Sequence, residues 1–186
     1  MPILIKDKRI AADSWKRLDG RPDHYLRPAD DGLLRDFPPG DLLVTLAVWK
    51  QRRDDLVERA GRTGVLLEPG DDPAAIAADL GHLDLVAVNF PDFTDGRGHT
   101  IARLLRERHG YEGEVRAVGD VLRDALFYLN RCGFDAFELA DARNAAQAVA
   151  GLADFSDAYQ ASVERPLPLF RRRPGNAVQP AARCRQ

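Results

Sequence analysis

The sequence predicts an α/β fold in which about four βα units build a mainly parallel sheet, either open or curled into a half-barrel. Three observations support this prediction: short apolar runs recur along the chain, a polar turn follows each run, and a helical segment follows each turn. Strands that alternate with helices pair in parallel through right-handed crossovers, so the pattern predicts one parallel sheet. Short strands and short connections suit both the open and the half-barrel form.

The four central strands are predicted at about 64–68, 84–89, 114–118 and 134–139. The first two are mainly apolar runs that end at Pro69 and Asn89, as buried strands of parallel sheets do. Parallel pairing of these four strands is therefore the central expectation for the fold. The helices that follow them are predicted over 74–80, 98–109, 121–132 and 145–159.

Upstream of these units, residues 41–60 pass from the apolar run 42–44 into a segment with one polar face. Apolar side chains recur there at helical spacing among charged residues, which predicts a helix. Gly61 follows as the predicted C-cap, because glycine readily adopts the left-handed backbone that closes many helices.

The chain is expected to divide into an N-terminal arm over 1–40, a single α/β domain over 41–165 and an extended C-terminal tail over 166–186. Prolines and paired aspartates predict that the arm is irregular. We expect the arm to cover one edge of the sheet, with Trp15 as its buried anchor. The tail is rich in Ala, Pro and Gln, so we expect disorder at its end.

Two helices carry aromatic side chains with different predicted roles. In the helix 145–159, Phe155 and Tyr159 continue a stripe of helical spacing, so we expect them to be buried. In the helix 121–132, Phe127 and Tyr128 widen one apolar face almost to a full circle. That width favours packing on both sides and makes the Phe127/Tyr128 face the predicted site of a homodimer contact.

Composition restricts the function classes. The 186 residues include 27 basic and 29 acidic side chains, and this balance argues against nucleic acid as a partner. Cys132 and Cys184 have no CxxC spacing, so an iron-sulfur or zinc site is not expected. Charged residues occupy 6–9, and no apolar run approaches the roughly 18 residues of a membrane span. We therefore expect a cytoplasmic protein with no membrane contact.

Polar side chains cluster after two neighbouring strands of the predicted sheet. Asp95 and Arg97 follow the strand 84–89, and the strand 114–118 is followed by Asp120, Arg123 and Asp124. Loops at the carboxyl ends of parallel strands meet at one edge, where helix N-termini favour negative charge. The sequence therefore predicts a ligand site formed by loops 89–99 and 120–124.

Arg97 is the most specific residue of this predicted site, because Gly96 and Gly98 flank it. Glycines let backbone approach a ligand closely, and a guanidinium can hold a small anion through paired hydrogen bonds. Arg123 is the second candidate anion-binding residue. The alternative is that Arg97 pairs with Asp95, Asp120 or Asp124 and ties the loops together.

The catalytic residue is open, with Asp95, Asp120 and Asp124 as candidates. Asp120 and Asp95 have a structural alternative as helix caps. No phosphate-binding P-loop, serine elbow or HExxH motif occurs, and Ile101 stands where a dinucleotide loop would have its third glycine. Neither a cofactor nor a metal ion is evident from the sequence.

Four segments form a distinctive combination: FTDGRG at 93–98, IARLLRER at 101–108, RAVGDVLRD at 116–124 and CGFDAF at 132–137. Together they closely resemble DUF934, a bacterial family of unknown function. The resemblance extends over about 41–173. Genes of this family commonly lie beside those for sulfite reductase, and its members are often labelled oxidoreductases. The resemblance therefore implies a role in sulfur assimilation without implying a reaction.

Two hypotheses follow from the resemblance and the predicted loops. In the first, the chain is an oxidoreductase or another small-anion enzyme of sulfur metabolism, with Arg97 and Arg123 on the anion and an aspartate as the acid-base group. In the second, it is an accessory protein that binds sulfite reductase. The sequence has no redox motif, which favours the accessory protein, because an oxidoreductase needs a cofactor or paired cysteines.

Overall fold

Eight strands form one sheet in the computed structural model, which describes residues 3–18, 36–139 and 145–172. Their order across the sheet is β2-β1-β8-β7-β6-β5-β4-β3. The strands are β1 (Ile3–Lys6), β2 (Arg9–Ala11), β3 (Lys16–Arg17), β4 (Leu42–Thr45), β5 (Thr63–Leu67), β6 (Leu85–Phe90), β7 (Glu114–Gly119) and β8 (Ala136–Leu139).

The six strands β3 to β8 run parallel to one another. This confirms the predicted parallel pairing of the four central strands, which are β5, β6, β7 and β8. The sheet curls into a half-barrel, which is one of the two forms that the sequence allowed. Among the described strands, β1 and β2 are the ones that run antiparallel to their neighbours, at the β8 edge.

Helices cover the outer face of the half-barrel and enclose the main hydrophobic core. Alternate residues of the central strands, such as Val86 and Val88 of β6, are fully buried beneath them. The helices are α1 (Leu46–Gln51), α2 (Arg53–Glu58), α3 (Arg97–Glu107), α4 (Leu126–Cys132) and α5 (Ala145–Gly151), with 3-10 segments at Pro73–His82, Arg123–Ala125 and Leu169–Arg171.

The helix predicted over 41–60 is two short helices that follow strand β4. α1 begins after Thr45, whose hydroxyl accepts the N–H of Val48, and it ends before Arg52. α2 ends at Glu58 with Arg59 as its C-cap, so the prediction of Gly61 as the cap was wrong. Gly61 instead has φ of +113° in the turn before β5.

The prediction for the last helix was also wrong beyond Gly151. The backbone N–H groups of Leu152 and Asp154 bond to carbonyls three residues earlier, so the chain tightens into turns and leaves the helical path. Phe155 and Tyr159 are therefore 64% and 63% exposed instead of buried. The ring of Phe155 packs against Phe127 at a centroid distance of 5.0 Å.

The N-terminal arm contributes strands as well as a cover. β1 and β2 lie at the β8 edge, β3 pairs with β4, and the chain between them crosses the inner face of the half-barrel. Trp15 lies half-buried on that face and packs against a small cluster that includes Leu43 and Ala87. Trp15 therefore anchors the arm on the inner face. Residues 19–35 of the arm lie outside the described residues.

The described part of the tail returns to the body of the protein. The N–H of Leu169 donates to the carbonyl of Tyr159, and the rings of Tyr159 and Phe170 are 6.1 Å apart. The disorder expected at the end of the tail falls on residues 173–186, which lie outside the described residues. Across the described ranges, no helix combines the length and apolar character that a membrane span requires. The division into arm, domain and tail stays a prediction.

Candidate functional site

Two loops at the carboxyl edge of the sheet are tied together through Asp120. Its carboxylate accepts the backbone N–H of Phe93 at 3.1 Å, and its own N–H donates to the carbonyl of Phe90 at 2.7 Å. The first loop, 91–96, follows β6, and the second, 120–121, follows β7. We call them the tied loops. The side chain of Asp120 thus bonds across to the neighbouring loop and does not cap the segment that follows it.

Arg97 at the start of α3 forms a bidentate ion pair with Asp95. Its Nε lies 3.0 Å from Oδ1 of Asp95, and one terminal nitrogen lies 2.6 Å from Oδ2. These hydrogen bonds lower the pKa of Asp95 to about 2. The Arg97 side chain is 66% exposed, so its guanidinium is accessible and already bound to a carboxylate. A small anion there would compete with Asp95.

The two glycines beside Arg97 differ in their surroundings. A Cβ added at Gly98 would lie 2.6 Å from Cζ of Phe90, so the ring of Phe90 leaves no space for a side chain at this position. A Cβ added at Gly96 would meet nothing within 4 Å. Gly96 therefore leaves open space beside Arg97, whereas Gly98 serves the packing of α3 on β6.

The other two predicted residues lie on the segment that follows the second tied loop. Arg123 is exposed, and its guanidinium lies 3.4 Å from the amide oxygen of Gln147 on α5. Asp124 is exposed and makes no hydrogen bond or ion pair with any residue that the structure describes. The structure thus associates Asp95, Arg97 and Asp120 with the tied loops and directs Arg123 towards α5.

Aromatic side chains border the tied loops. The ring of His99 lies between Phe90 and Tyr128, with centroid distances of 5.3 Å and 5.1 Å. Tyr128 is 56% exposed, and Phe93 within the first tied loop is 60% exposed. Leu122, just after the second loop, is also exposed. The tied loops and the residues that border them therefore carry several large exposed apolar side chains, a composition found at surfaces that bind other proteins.

The Phe127/Tyr128 face is only partly available for the homodimer that the sequence predicts. Phe127 is half-buried beneath Phe155, whereas the neighbouring Tyr128 is exposed. The accessible part of this face is therefore Tyr128, next to the tied loops. The homodimer itself stays a prediction.

Sequence reasoning missed a charged network on the inner face of the half-barrel. Arg116 of β7 is only 2% exposed and donates to Glu114 at 2.7 Å and to Asp13 of the arm at 3.0 Å. Lys6 of β1 also donates to Glu114, at 2.6 Å. The signal was present in the sequence, because charged residues alternate with Val115 within an apolar strand. These paired charges attach the arm to the sheet.

A second missed contact lies at the carboxyl edge, where the amide of Asn89 donates to the carboxylate of Glu68 at 2.8 Å. Asn89 belongs to β6 and Glu68 follows β5, so this pair joins neighbouring strands next to the tied loops. Across residues 3–18, 36–139 and 145–172, no three or more His, Cys, Asp or Glu side chains form a cluster suited to a metal ion.

Comparison with known families places this geometry in context. A family model described as a bacterial protein of unknown function, DUF934, matches residues 64–170, which is more than half of the chain. The chain belongs to this family. The DUF934 match extends from β5 to the tail segment that contacts Tyr159, so both tied loops and the exposed Tyr128 lie within it. Comparison with curated proteins found no match.

Proposed function

We propose that this DUF934 chain is an accessory protein of assimilatory sulfate and sulfite reduction that acts together with sulfite reductase. The proposal combines the genomic neighbourhood that the family resemblance implies with the character of the tied loops. An enzyme of the same pathway is the alternative, in which a small anion binds at Arg97 and Arg123 and an aspartate transfers protons.

The observation that carries the accessory role is the exposure of Phe93 and Tyr128 beside a loop that hydrogen bonds hold in place. The bond from the Phe93 N–H to Asp120 fixes the backbone of the first loop, so little conformational entropy is lost when a partner covers the ring. Aromatic side chains are the commonest anchors of protein interfaces. The tied loops therefore suit protein docking.

The ion pair between Arg97 and Asp95 also favours the accessory role over the enzyme. An anion-binding enzyme needs the guanidinium free for its substrate, whereas Asp95 occupies two of its nitrogens. At the rim of a protein interface the same ion pair presents both charges to a partner, which helps to select the partner and its orientation.

The test is a binding assay between the purified protein and sulfite reductase from the same organism. We expect a complex, and we expect Phe93→Ser and Tyr128→Ser each to weaken it about tenfold or more, as the loss of an interface anchor does. Ile10→Ser is the matched control, because Ile10 is 56% exposed on β2. It should leave the affinity unchanged.

The enzyme alternative is tested with the same preparation. Turnover of sulfite with nicotinamide or flavin cofactors by the isolated protein would contradict the accessory role. The absence of a complex, or an equal effect of all three substitutions, would contradict docking at the tied loops.

A further inference from the structure

A separate cavity of about 340 Å³ lies beneath the segment that follows α5. One wall is α4, with Phe127 and Arg131, and the facing wall is the chain over 152–165. No lining residue belongs to the tied loops. Binding sites for small organic ligands have volumes of roughly 300–1,000 Å³, so the cavity has the size of a small-ligand site.

The charges around this cavity leave an excess of positive charge. Asp157 accepts hydrogen bonds from Arg165 at 2.8 Å and from Arg172 at 2.6 Å, so its single negative charge faces two guanidinium groups. The second carboxylate of the lining, Glu164, lies 3.5 Å from the ammonium group of Lys8. Both carboxylates of the lining are therefore already paired.

The positive charge of the lining that has no carboxylate partner within the described part of the chain belongs to Arg131. One of its terminal nitrogens donates to the carbonyl of Gln160 at 3.0 Å, and no carboxylate among the described residues pairs with it. Its Nε is buried and has no hydrogen-bond partner among the described residues. An arginine that lines a cavity and has no carboxylate partner favours an anionic ligand, because the ligand neutralises its charge.

The aromatic rings define the shape of the ligand. Phe127 and Phe155 are 5.0 Å apart with planes tilted by 55°, and Phe155 is 64% exposed. A flat apolar group placed against Phe155 would remove that ring from water, and stacking between aromatic rings adds to the apolar burial.

A tight hairpin turn at the rim of the cavity positions Lys8. Lys8 has φ of +61° and Asp7 has φ of +51°, the only positive φ values outside glycine among the described residues. This left-handed turn between β1 and β2 holds Lys8 beside Glu164 at the lining. Two-residue hairpin turns of type I′ need positive φ at both central residues, so the hairpin itself sets this backbone and fixes the position of Lys8 at the rim.

We propose that this cavity binds a small organic anion that has a flat aromatic body and one sulfonate, carboxylate or phosphate group. The aromatic body packs against Phe155 and Phe127, and the anionic group binds Arg131 with support from Lys8. This site is distinct from the tied loops and does not depend on the function proposed for them.

The test uses 1-anilinonaphthalene-8-sulfonate, a fluorescent aromatic sulfonate, in a titration of the full chain. We expect one saturable site. Phe155→Ala and Arg131→Gln should each weaken binding about tenfold, because one removes the stacking surface and the other removes the charge. Phe93→Ala is the matched control, since Phe93 is 60% exposed at the tied loops, and it should leave the affinity unchanged.

Arg131 also holds the chain at Gln160, so Arg131→Gln can disturb the fold. Lys8→Gln provides a second charge variant, because its side chain is 55% exposed, and it should weaken the dye severalfold with an unchanged circular dichroism spectrum. Non-saturable binding, an equal effect of Phe93→Ala, or unchanged affinity in both Phe155→Ala and Lys8→Gln would each overturn the proposal.

Discussion

Arg17 on β3 and Glu138 on β8 form an ion pair, with 3.1 Å between a terminal nitrogen of Arg17 and Oε2 of Glu138. Five steps in strand order separate β3 from β8, which in a flat sheet would amount to about 24 Å at a spacing of about 4.8 Å per step. The pair can form because the sheet curls into a half-barrel. It joins the N-terminal arm to the opposite end of the parallel strands across the inner face.

Glu138→Gln is expected to lower the free energy of unfolding by about 1–2 kcal/mol, because it weakens a charge-assisted hydrogen bond between partly buried groups. Urea denaturation measures this change. Glu107→Gln is the control, since Glu107 pairs with Arg103 on the exposed face of α3 and should contribute no more than about 0.5 kcal/mol. Equal effects of the two substitutions would contradict the role of Glu138 in joining β8 to β3 across the half-barrel.

Gly98→Ala is expected to destabilise the protein by about 1–3 kcal/mol, because the added methyl group would collide with the ring of Phe90 beneath α3. Gly96→Ala is the matched control. It adds the same methyl group into open space with φ of −77°, so the change in stability should stay below about 1 kcal/mol. If Gly98→Ala were as stable as Gly96→Ala, the packing of Phe90 on α3 would be looser than the structure indicates.

Arg97→Gln is expected to raise the pKa of Asp95 from about 2 towards the ordinary value of 3.8, because the hydrogen bonds from the guanidinium favour the charged carboxylate. Titration of the carboxyl carbon by NMR measures it. Since the folded-state pKa is the lower one, the ion pair stabilises the folded state above the ordinary pKa, and this contribution is lost as the pH falls through about 2. A pKa that stays near 2 in the variant would show that another group holds Asp95.

Deletion of the gene is expected to impair growth on sulfate or sulfite and to leave growth on cysteine normal, which growth curves on each sulfur source measure. Arg97→Ala should reproduce the deletion while the protein stays folded, because Arg97 is an exposed residue at the tied loops and not part of the core.

Arg103→Ala serves as the control for this growth experiment, since Arg103 is equally exposed on α3 and pairs with Glu107. Normal growth of the deletion strain in a genome without a second copy would contradict a role in sulfur assimilation. Impaired growth of the deletion strain together with normal growth of the Arg97→Ala strain would show that the surface required for function lies outside the first tied loop.

The sequence by itself determined the central elements. Runs such as Leu85 to Val88 are apolar at every position, because strands of a parallel sheet are buried on both faces, and this local property predicted the positions and parallel pairing of β5 to β8. The resemblance to DUF934 was likewise readable, since it rests on contiguous segments of the chain. The grouping of polar residues after β6 and β7 identified the tied loops as a candidate site.

The tertiary structure decided which partner each side chain has. Arg97 had several carboxylates within reach in the sequence, and only the path of the loop gives it Asp95 and leaves Asp120 to the N–H of Phe93. The last helix ends at Gly151, although its apolar stripe continues at helical spacing, because the chain then turns back and lays Phe155 over Phe127.

The contact between Arg17 and Glu138 across the half-barrel could not be predicted from the sequence either. Arg17 and Glu138 are 121 residues apart in the chain, so no periodicity in either segment indicates that they meet. Apolar spacing reports which face of one element is buried, because burial acts on each residue separately. Ion pairs and close ring contacts depend on the relative positions of two distant segments, and the curl of the whole sheet sets those positions.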